Sequence, residues 1–375
     1  MARRAPRLRH GALDPVTAPA PRVLLCATDA GGAANLAALA PALSRRGADV
    51  RVITRDGLRH LFDAFAADRV VDAPDDPARF VRGWRPDAII SGTTCFDSPD
   101  RRLIAVGARE GIRTAVVLDE RYDYRMRFLV DGEPVWPDVI TVLDGASIDE
   151  AAAEGVPRER CRVTGSPALA RIAQAAAVDA DAPARRPPSL ASRPAWPILL
   201  FVSETLADDY GSAPGESGPL GPFAGFTEET VRDWTRSLDG SSFLLVEKLH
   251  PASGRVEQPP QLLHGGRVMH IVLKREPLWP LMRAAHAVLG MRSVALLEAA
   301  LIGVPALSFQ PGGIGPERCT AVRLGAVRRT SDPSAAAAWC REYLTGAPRR
   351  SAPAEFPFAA PGADERVVAA ALDER

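Results

Sequence analysis

Short apolar runs alternate with stretches of helical periodicity along most of the chain, and their order predicts the architecture. The run 23–28, VLLCAT, is too short for a helix and ends in the turn Asp29-Ala30-Gly31-Gly32-Ala33-Ala34-Asn35. A helix is expected from there to about Arg46, where Gly47 stops it. Further strands are predicted at 50–53, 70–71, 87–91, 114–118, 139–143 and 162–164, with helices at 58–67, 77–84, 101–111 and 148–154. Residues 179–197 are rich in Ala, Pro, Arg and Asp, lack periodicity and read as a linker. A second series follows, with strands at 198–202, 242–247, 268–272, 287–289 and 304–309. Its helices are predicted at 227–238, 278–285, 294–302, 317–324 and 333–343, with a terminal helix from about Asp364.

Two such series predict an α/β fold class of two doubly wound, Rossmann-like domains facing a cleft. The expected boundaries are a disordered lead-in at 1–21, an N-terminal domain at 22–178, the linker, a C-terminal domain at 198–345, and a tail at 346–375 whose helix packs back toward the N-terminal domain. Ligands of such sheets bind beyond the carboxyl ends of the strands, so the cleft is expected to hold the chemistry.

The most informative stretch is 284–313, AAHAVLGMRSVALLEAALIGVPALSFQPGG. Strand, polar turn, helix, the Gly303 stop and strand make one right-handed βαβ unit. Arg292 and Ser293 then stand at a helix N-terminus, where free N–H groups favour an anion, and Glu298 lies further along an otherwise apolar helix, suited to a pair of sugar hydroxyls. The plainer alternative is a Ser cap and a half-exposed Glu. In the N-terminal half, Asp29 projects at the end of the first strand beside glycines that let a ligand approach the backbone. It serves equally well as a helix cap. The loop from Asp119 to Phe128, DERYDYRMRF, mixes charge and aromatic rings at a strand end, and residues 208–225 form a Gly/Pro/Ser-rich loop long enough to act as a lid.

Composition narrows the classes. The 46 Lys and Arg balance 46 Asp and Glu, which argues against a general nucleic-acid binder. No apolar run approaches the ~18 residues of a membrane span, and the basic N-terminus has no apolar segment of a secretory signal. Five scattered cysteines without a CxxC pair fit reduced thiols and a cytoplasmic setting, with no metal site expected. Arginine abundance reads as codon bias. The only lysines, Lys248 and Lys274, both flank candidate ligand loops.

The segments LLFVSE (199–204), KLHP (248–251) and GMRSVALLEAALIGVPALSF (290–309) resemble GT-B glycosyltransferases and their relatives, the nucleotide-sugar epimerases and hydrolases. VTGSP (163–167) and VLDERYDYRMRF (117–128) are similar to segments of bacterial polysaccharide-type glycosyltransferase homologues. The resemblance implies that Glu298 takes the ribose hydroxyls, that Arg292, Ser293, Ser203, Glu204, Lys248 and His250 surround the diphosphate, that the base lies near His270 to Arg275, and that Gly312 and Gly313 admit the donor sugar. Departures are the missing HVEAGLR-like segment of non-hydrolysing 2-epimerases, Arg121 and Asp123 in place of Trp and Asn, and the absence of a D-x-D motif.

The function this implies is metal-independent transfer of a sugar from a nucleotide sugar, UDP among the candidate nucleotides, to a small-molecule or glycan acceptor in secondary-metabolite or cell-surface polysaccharide biosynthesis. Asp29 is the first candidate for general base, then Asp119 and Glu120, and last Asp97. No cofactor besides the nucleotide-sugar co-substrate is expected, and a homodimer is compatible. The alternative is a nucleotide-sugar hydrolase or 2-epimerase, in which Asp97, Asp119 and Glu120 flank the donor sugar. A non-enzymatic sugar-nucleotide binder is a third reading.

Overall fold

A computed structural model describes residues 19–74, 76–96, 98–178, 185–350 and 355–373. Asp97 lies outside these residues, as do 1–18 of the lead-in and 179–184 of the linker. The first lobe is built on β1 (Arg22–Cys26), β2 (Asp49–Thr54), β3 (Val70–Asp72), β4 (Ala88–Ser91), β5 (Arg113–Val117), β6 (Val139–Val142) and β7 (Cys161–Val163). They form one seven-stranded sheet in the order β3-β2-β1-β4-β5-β6-β7, every pair parallel. The second lobe carries β8 (Ile198–Val202), β9 (Phe243–Lys248), β10 (Gln258–Leu263), β11 (Val268–Leu273), β12 (Ala287–Gly290), β13 (Ala306–Phe309) and β14 (Arg328–Thr330). Its order is β10-β11-β9-β8-β12-β13-β14, with only β10 antiparallel.

The central strands read as unbroken apolar runs because helices cover both faces of each sheet. Leu24, Leu25, Ile89, Ile90, Leu199, Leu200, Val288 and Leu289 are all fully enclosed. In each lobe the strand order reverses beside the first strand, between β1 and β4 and between β8 and β12, which opens a crevice at the carboxyl edge. This is a two-domain α/β fold of GT-B type.

The terminal helix Ala363–Leu372 returns to the first lobe, burying Val367, Val368 and Ala371 in the core that holds Leu25, Ile90 and Val117. Arg113 donates to the carbonyls of Ala371 at 2.7 Å and Ala370 at 2.9 Å, so the end of the chain helps hold the first sheet. The helix Pro167–Val178 bridges the lobes, with Leu169 packed in the second lobe's core beside Val202 and Leu297. Three predicted helices differ, the one expected to run to about Arg46 breaking into Ala30–Ala37 and Ala40–Arg45. Residues 58–67 form a 3-10 segment, Asp56–Phe62, and 317–324 shortens to Thr320–Arg323.

Candidate active site

The loops leaving β1, β4 and β5 converge because three glycines let them. A Cβ on Gly92 would sit 3.1 Å from the Cα of Gly32, so these two loops touch backbone to backbone. A Cβ on Gly31 would lie 2.0 Å from Asp119 Oδ2 and 3.6 Å from Asp29 Oδ1. Both carboxylates therefore crowd the space a side chain would fill. Asp29 does cap the helix Ala30–Ala37, its Oδ1 accepting from Gly32 N at 2.7 Å, but Oδ2 is buried without a partner. Asp119 has a cation instead, with Arg127 Nη1 at 3.5 Å from its Oδ1. Arg127 is buried and held by donating to the carbonyls of Tyr122 at 3.2 Å and Thr93 at 3.3 Å. Behind them Asp100, fully enclosed, accepts from Thr28 Oγ1 at 2.7 Å.

Burial raises the carboxyl pKa of Asp29 to about 8, with the nearby Asp119 and Asp100 charges pushing the same way. Asp119 is also raised by burial, but the Arg127 guanidinium opposes the shift. Two carboxylates this close cannot both ionise freely, and their surroundings divide the roles. Arg127 favours the charged form of Asp119, whereas Asp29 Oδ2 is buried without a partner.

Glu120 reaches across the cleft. Its Oε2 accepts from Thr320 Oγ1 of the second lobe, and burial together with Asp119 lifts its carboxyl to about 8. Arg318 makes a second bridge, donating to Asp123 Oδ2 at 2.7 Å and to Tyr210 Oη at 2.9 Å. Its guanidinium lies 5.9 Å from the Tyr122 ring centre and 5.3 Å from that of Tyr210. Tyr210 ends the short helix Leu206–Tyr210 that begins the expected lid loop. Arg121, by contrast, is a fixture of the first lobe, paired with Glu150 at 2.7 Å and Asp144 at 3.3 Å.

In the second lobe, Glu204 Oε1 accepts from the backbone N–H groups of Met291, Arg292 and Ser293 at 3.1, 2.8 and 2.9 Å. The amides expected to grip a phosphate thus have a protein carboxylate, Glu204, as their partner. Burial raises its pKa to about 7, and the three N–H bonds oppose that shift. The Arg292 side chain makes no hydrogen bond or salt bridge among the described residues. It is 9% exposed, its guanidinium lies 5.3 Å from the rings of both Tyr210 and Phe226, and its buried Nε has no partner. Ser293 Oγ accepts from Ala295 N at 3.2 Å. Glu298, on the helix Ala295–Leu301, has no hydrogen-bond or ionic partner among the described residues, and burial raises its carboxyl to about 7.

His250 follows β9, with Nδ1 accepting from Ala252 N at 3.2 Å, which leaves Nε2 to donate. Burial and the two neighbouring lysines lower its pKa to about 4, so it is neutral. Lys248 donates to Lys274 O at 2.7 Å, and Lys274 to Ser253 O at 2.7 Å, so both ammonium groups tie down the 248–257 loop. Ser203 is buried at the same edge, its N–H bonded to Lys248 O at 2.9 Å. Arg275 is exposed, its backbone N–H bonded to Glu257. His270 is a buried core residue on Glu247 Oε2 at 3.0 Å. Gly312 and Gly313 meet the 224–226 loop: a Cβ on Gly225 would sit 2.1 Å from Gly312 O, and Ile314 N donates to Ala224 O at 3.0 Å. It is Gly225 whose smallness this loop contact requires, while a Cβ on Gly312 would sit 3.1 Å from Gly225 O.

Sequence reasoning passed over Arg127, Arg318 and Asp100. Arg127 sits inside the charged segment already singled out, where its partner Asp119 precedes it by two helical turns' worth of chain. Arg318 and Asp100 carry no local signal, because their partners are supplied by other loops.

No protein-family model matches the chain, and no curated protein matches it. Solved structures do. UDP-GlcNAc 2-epimerase from Neisseria meningitidis, bound to UDP-GlcNAc, is 14% identical with a TM-score of 0.62 and covers 94% of this chain and 100% of its own. The Methanocaldococcus jannaschii UDP-GlcNAc 2-epimerase in complex with UDP-GlcNAc and UDP is 11% identical, with a TM-score of 0.59, covering 92% and 98%. The MnaA–UDP structure from Staphylococcus aureus is 12% identical, with a TM-score of 0.59, covering 93% and 95%. At these identities the likeness is one of fold. It corrects the glycosyltransferase expectation: the epimerases that share this two-lobed frame along nearly its whole length are isomerases, and the transferase reading falls with its acceptor.

Proposed function

We propose that this chain is an isomerase of nucleotide-diphosphate sugars, inverting a sugar carbon of a UDP-linked hexosamine as a 2-epimerase. The observation that carries the reading is the unequal pair of buried carboxylates, Asp29 without a cationic partner and Asp119 beside Arg127. A base takes the C2 proton from one face while the C1–O bond to the diphosphate breaks, so that the C2–H electron pair forms a C1–C2 double bond; an acid then returns a proton to the opposite face of C2 as the diphosphate re-adds at C1. Ionised Asp119 suits the first task and protonated Asp29 the second, with Glu120 a further acid at the same rim. No proton is gained or lost overall, and no acceptor is required.

The diphosphate end falls to the second lobe. Arg292, nine-tenths buried between two aromatic rings and unpaired at Nε, supplies a fixed positive charge, and neutral His250 offers an Nε2–H. Glu298, unpartnered on the same segment as Arg292, is suited to the ribose hydroxyls. The uridine assignment rests on the UDP and UDP-GlcNAc held by structures of the same fold. The test is incubation of the purified protein with UDP-GlcNAc alone, followed by chromatographic separation of the sugar nucleotides. A second, epimeric UDP-hexosamine is the expected product. An unaltered sugar nucleotide after prolonged incubation with active, folded protein overturns the reading.

A further inference from the structure

The first lobe also carries a pocket of ≈ 670 Å³ beside the helix Pro77–Trp84. It is lined by Arg22, Arg51, Arg79, Phe80 and Trp84, with Pro74, Asp76 and Gly83 completing the wall. Arg22 opens β1, at the end opposite to Asp29, and Arg51 lies on the adjacent β2, whose register sets Leu24 against Arg51. Both belong to the sheet face whose apolar core is Leu24, Cys26, Ile53, Val81 and Trp84. The arginines therefore stand where that core runs out.

Trp84, the last residue of the helix Pro77–Trp84 and only 5% exposed, fixes them. The Arg22 guanidinium is 4.9 Å and that of Arg51 5.0 Å from its ring centre. Neither guanidinium has a hydrogen-bonded or ionic partner among the described residues, nor does that of Arg79. Among the described residues the one carboxylate in the wall, Asp76, is already engaged as the cap of the helix, accepting from Arg79 N at 2.9 Å. Three unpaired forks around a cavity of small-molecule size, two of them held by an aromatic ring, form a site short of negative charge.

We propose that this cavity binds a small phosphate- or pyrophosphate-bearing molecule, held by bidentate contacts from Arg22, Arg51 and Arg79, with its apolar part against Phe80. The site is independent of the isomerase reading and lies outside the machinery of the cleft.

The experiment is calorimetric titration of the full-length protein with inorganic pyrophosphate, using wild type, Arg51→Gln, Arg79→Gln and, as a control in the cleft, Arg292→Gln. Because Arg51→Gln loses its packing on Trp84, Arg79→Gln on the exposed wall guards against a folding artefact, and thermal melts verify both. Each cavity variant is expected to weaken one binding event at least tenfold, while Arg292→Gln leaves that event intact. Turnover of the sugar nucleotide, where measured, is expected to be unchanged in Arg51→Gln. Pyrophosphate binding that survives both cavity substitutions, or that disappears only in Arg292→Gln, overturns the proposal. Absence of pyrophosphate binding to wild type also overturns it, and binding of an acidic peptide such as oligoglutamate in that case assigns the patch to a protein partner.

Discussion

Asp29 and Asp119 meet across Gly31, their carboxylate oxygens converging on the space that a side chain at that position would occupy. One is a helix cap with its second oxygen buried and unpaired, and the other is matched to Arg127. The juxtaposition separates an acid from a base within one buried group of side chains, and it gives the first two predictions.

Asp29→Asn keeps the cap, because the amide oxygen still accepts from Gly32 N, but removes the transferable proton. Turnover is expected to fall about 10²–10⁴-fold, the usual contribution of a positioned acid or base. The melting temperature at neutral pH should hold, since a neutral amide replaces a carboxyl that is already largely protonated. Steady-state kinetics and a thermal melt on the same preparation check this, and a collapse of both would make Asp29 structural.

Gly31→Ala should displace Asp119 from Arg127, because the new methyl would overlap Asp119 Oδ2. A cost of about 1–3 kcal/mol in stability is expected from overpacking. The activity loss should exceed what that destabilisation explains, measured well below the melting temperature. Retention of full activity would show that the separation of the two carboxylates is not needed.

The pH dependence of stability has a definite sign. Asp29 and Glu120 titrate near 8 in the native protein, and Glu204 and Glu298 near 7, all well above ordinary carboxyl values. A raised native pKa means that the folded state binds more protons than the unfolded one, so the stabilisation is complete below about pH 4 and is lost as pH climbs through 7 to 8. Urea midpoints from about pH 5 to pH 8 should therefore fall more steeply for wild type than for Asp29→Asn or Glu120→Gln. Parallel slopes would contradict the assigned shifts.

Arg318 ties Asp123 of the first lobe to Tyr210 and Leu220 of the 206–222 segment in the second. Arg318→Met keeps the bulk between the tyrosines but loses these bonds. Limited proteolysis within 206–222 should accelerate, and the apparent affinity for sugar nucleotide should drop about tenfold, the scale of charge-assisted hydrogen bonds. Unchanged cutting would mean that the segment closes without this residue.

The alternation of apolar runs with helical stretches made the two-lobed α/β frame legible, because fully covered parallel strands such as LLFV and AVLG have no polar face to disguise them. The antiparallel edge strand Gln258–Leu263 escaped notice, since its two prolines and exposed positions carry none of that pattern and are tolerated only at a sheet edge. Within the site, Asp29, Asp119 and Arg292 could be named from their places beyond strand ends, and Glu298 from its place on an otherwise apolar helix. What each one does could not, because charge and burial come from distant loops. Arg127 supplies the counter-charge of Asp119, and Glu204, from the loop after β8, takes the amides of residues 291–293 that seemed open to phosphate. The glycosyltransferase expectation failed for a similar reason: the motifs that carry it describe a nucleotide-binding frame, which isomerases and transferases share.

Proton NMR of UDP-GlcNAc incubated with the protein alone in D₂O gives the sharpest discrimination. The signals of a C2-epimeric UDP-hexosamine should appear with deuterium in place of hydrogen at the inverted carbon, and Asp29→Asn should suppress both changes. A sugar nucleotide that keeps its configuration and its C2 proton in the presence of folded wild-type protein would contradict the proposed isomerase chemistry.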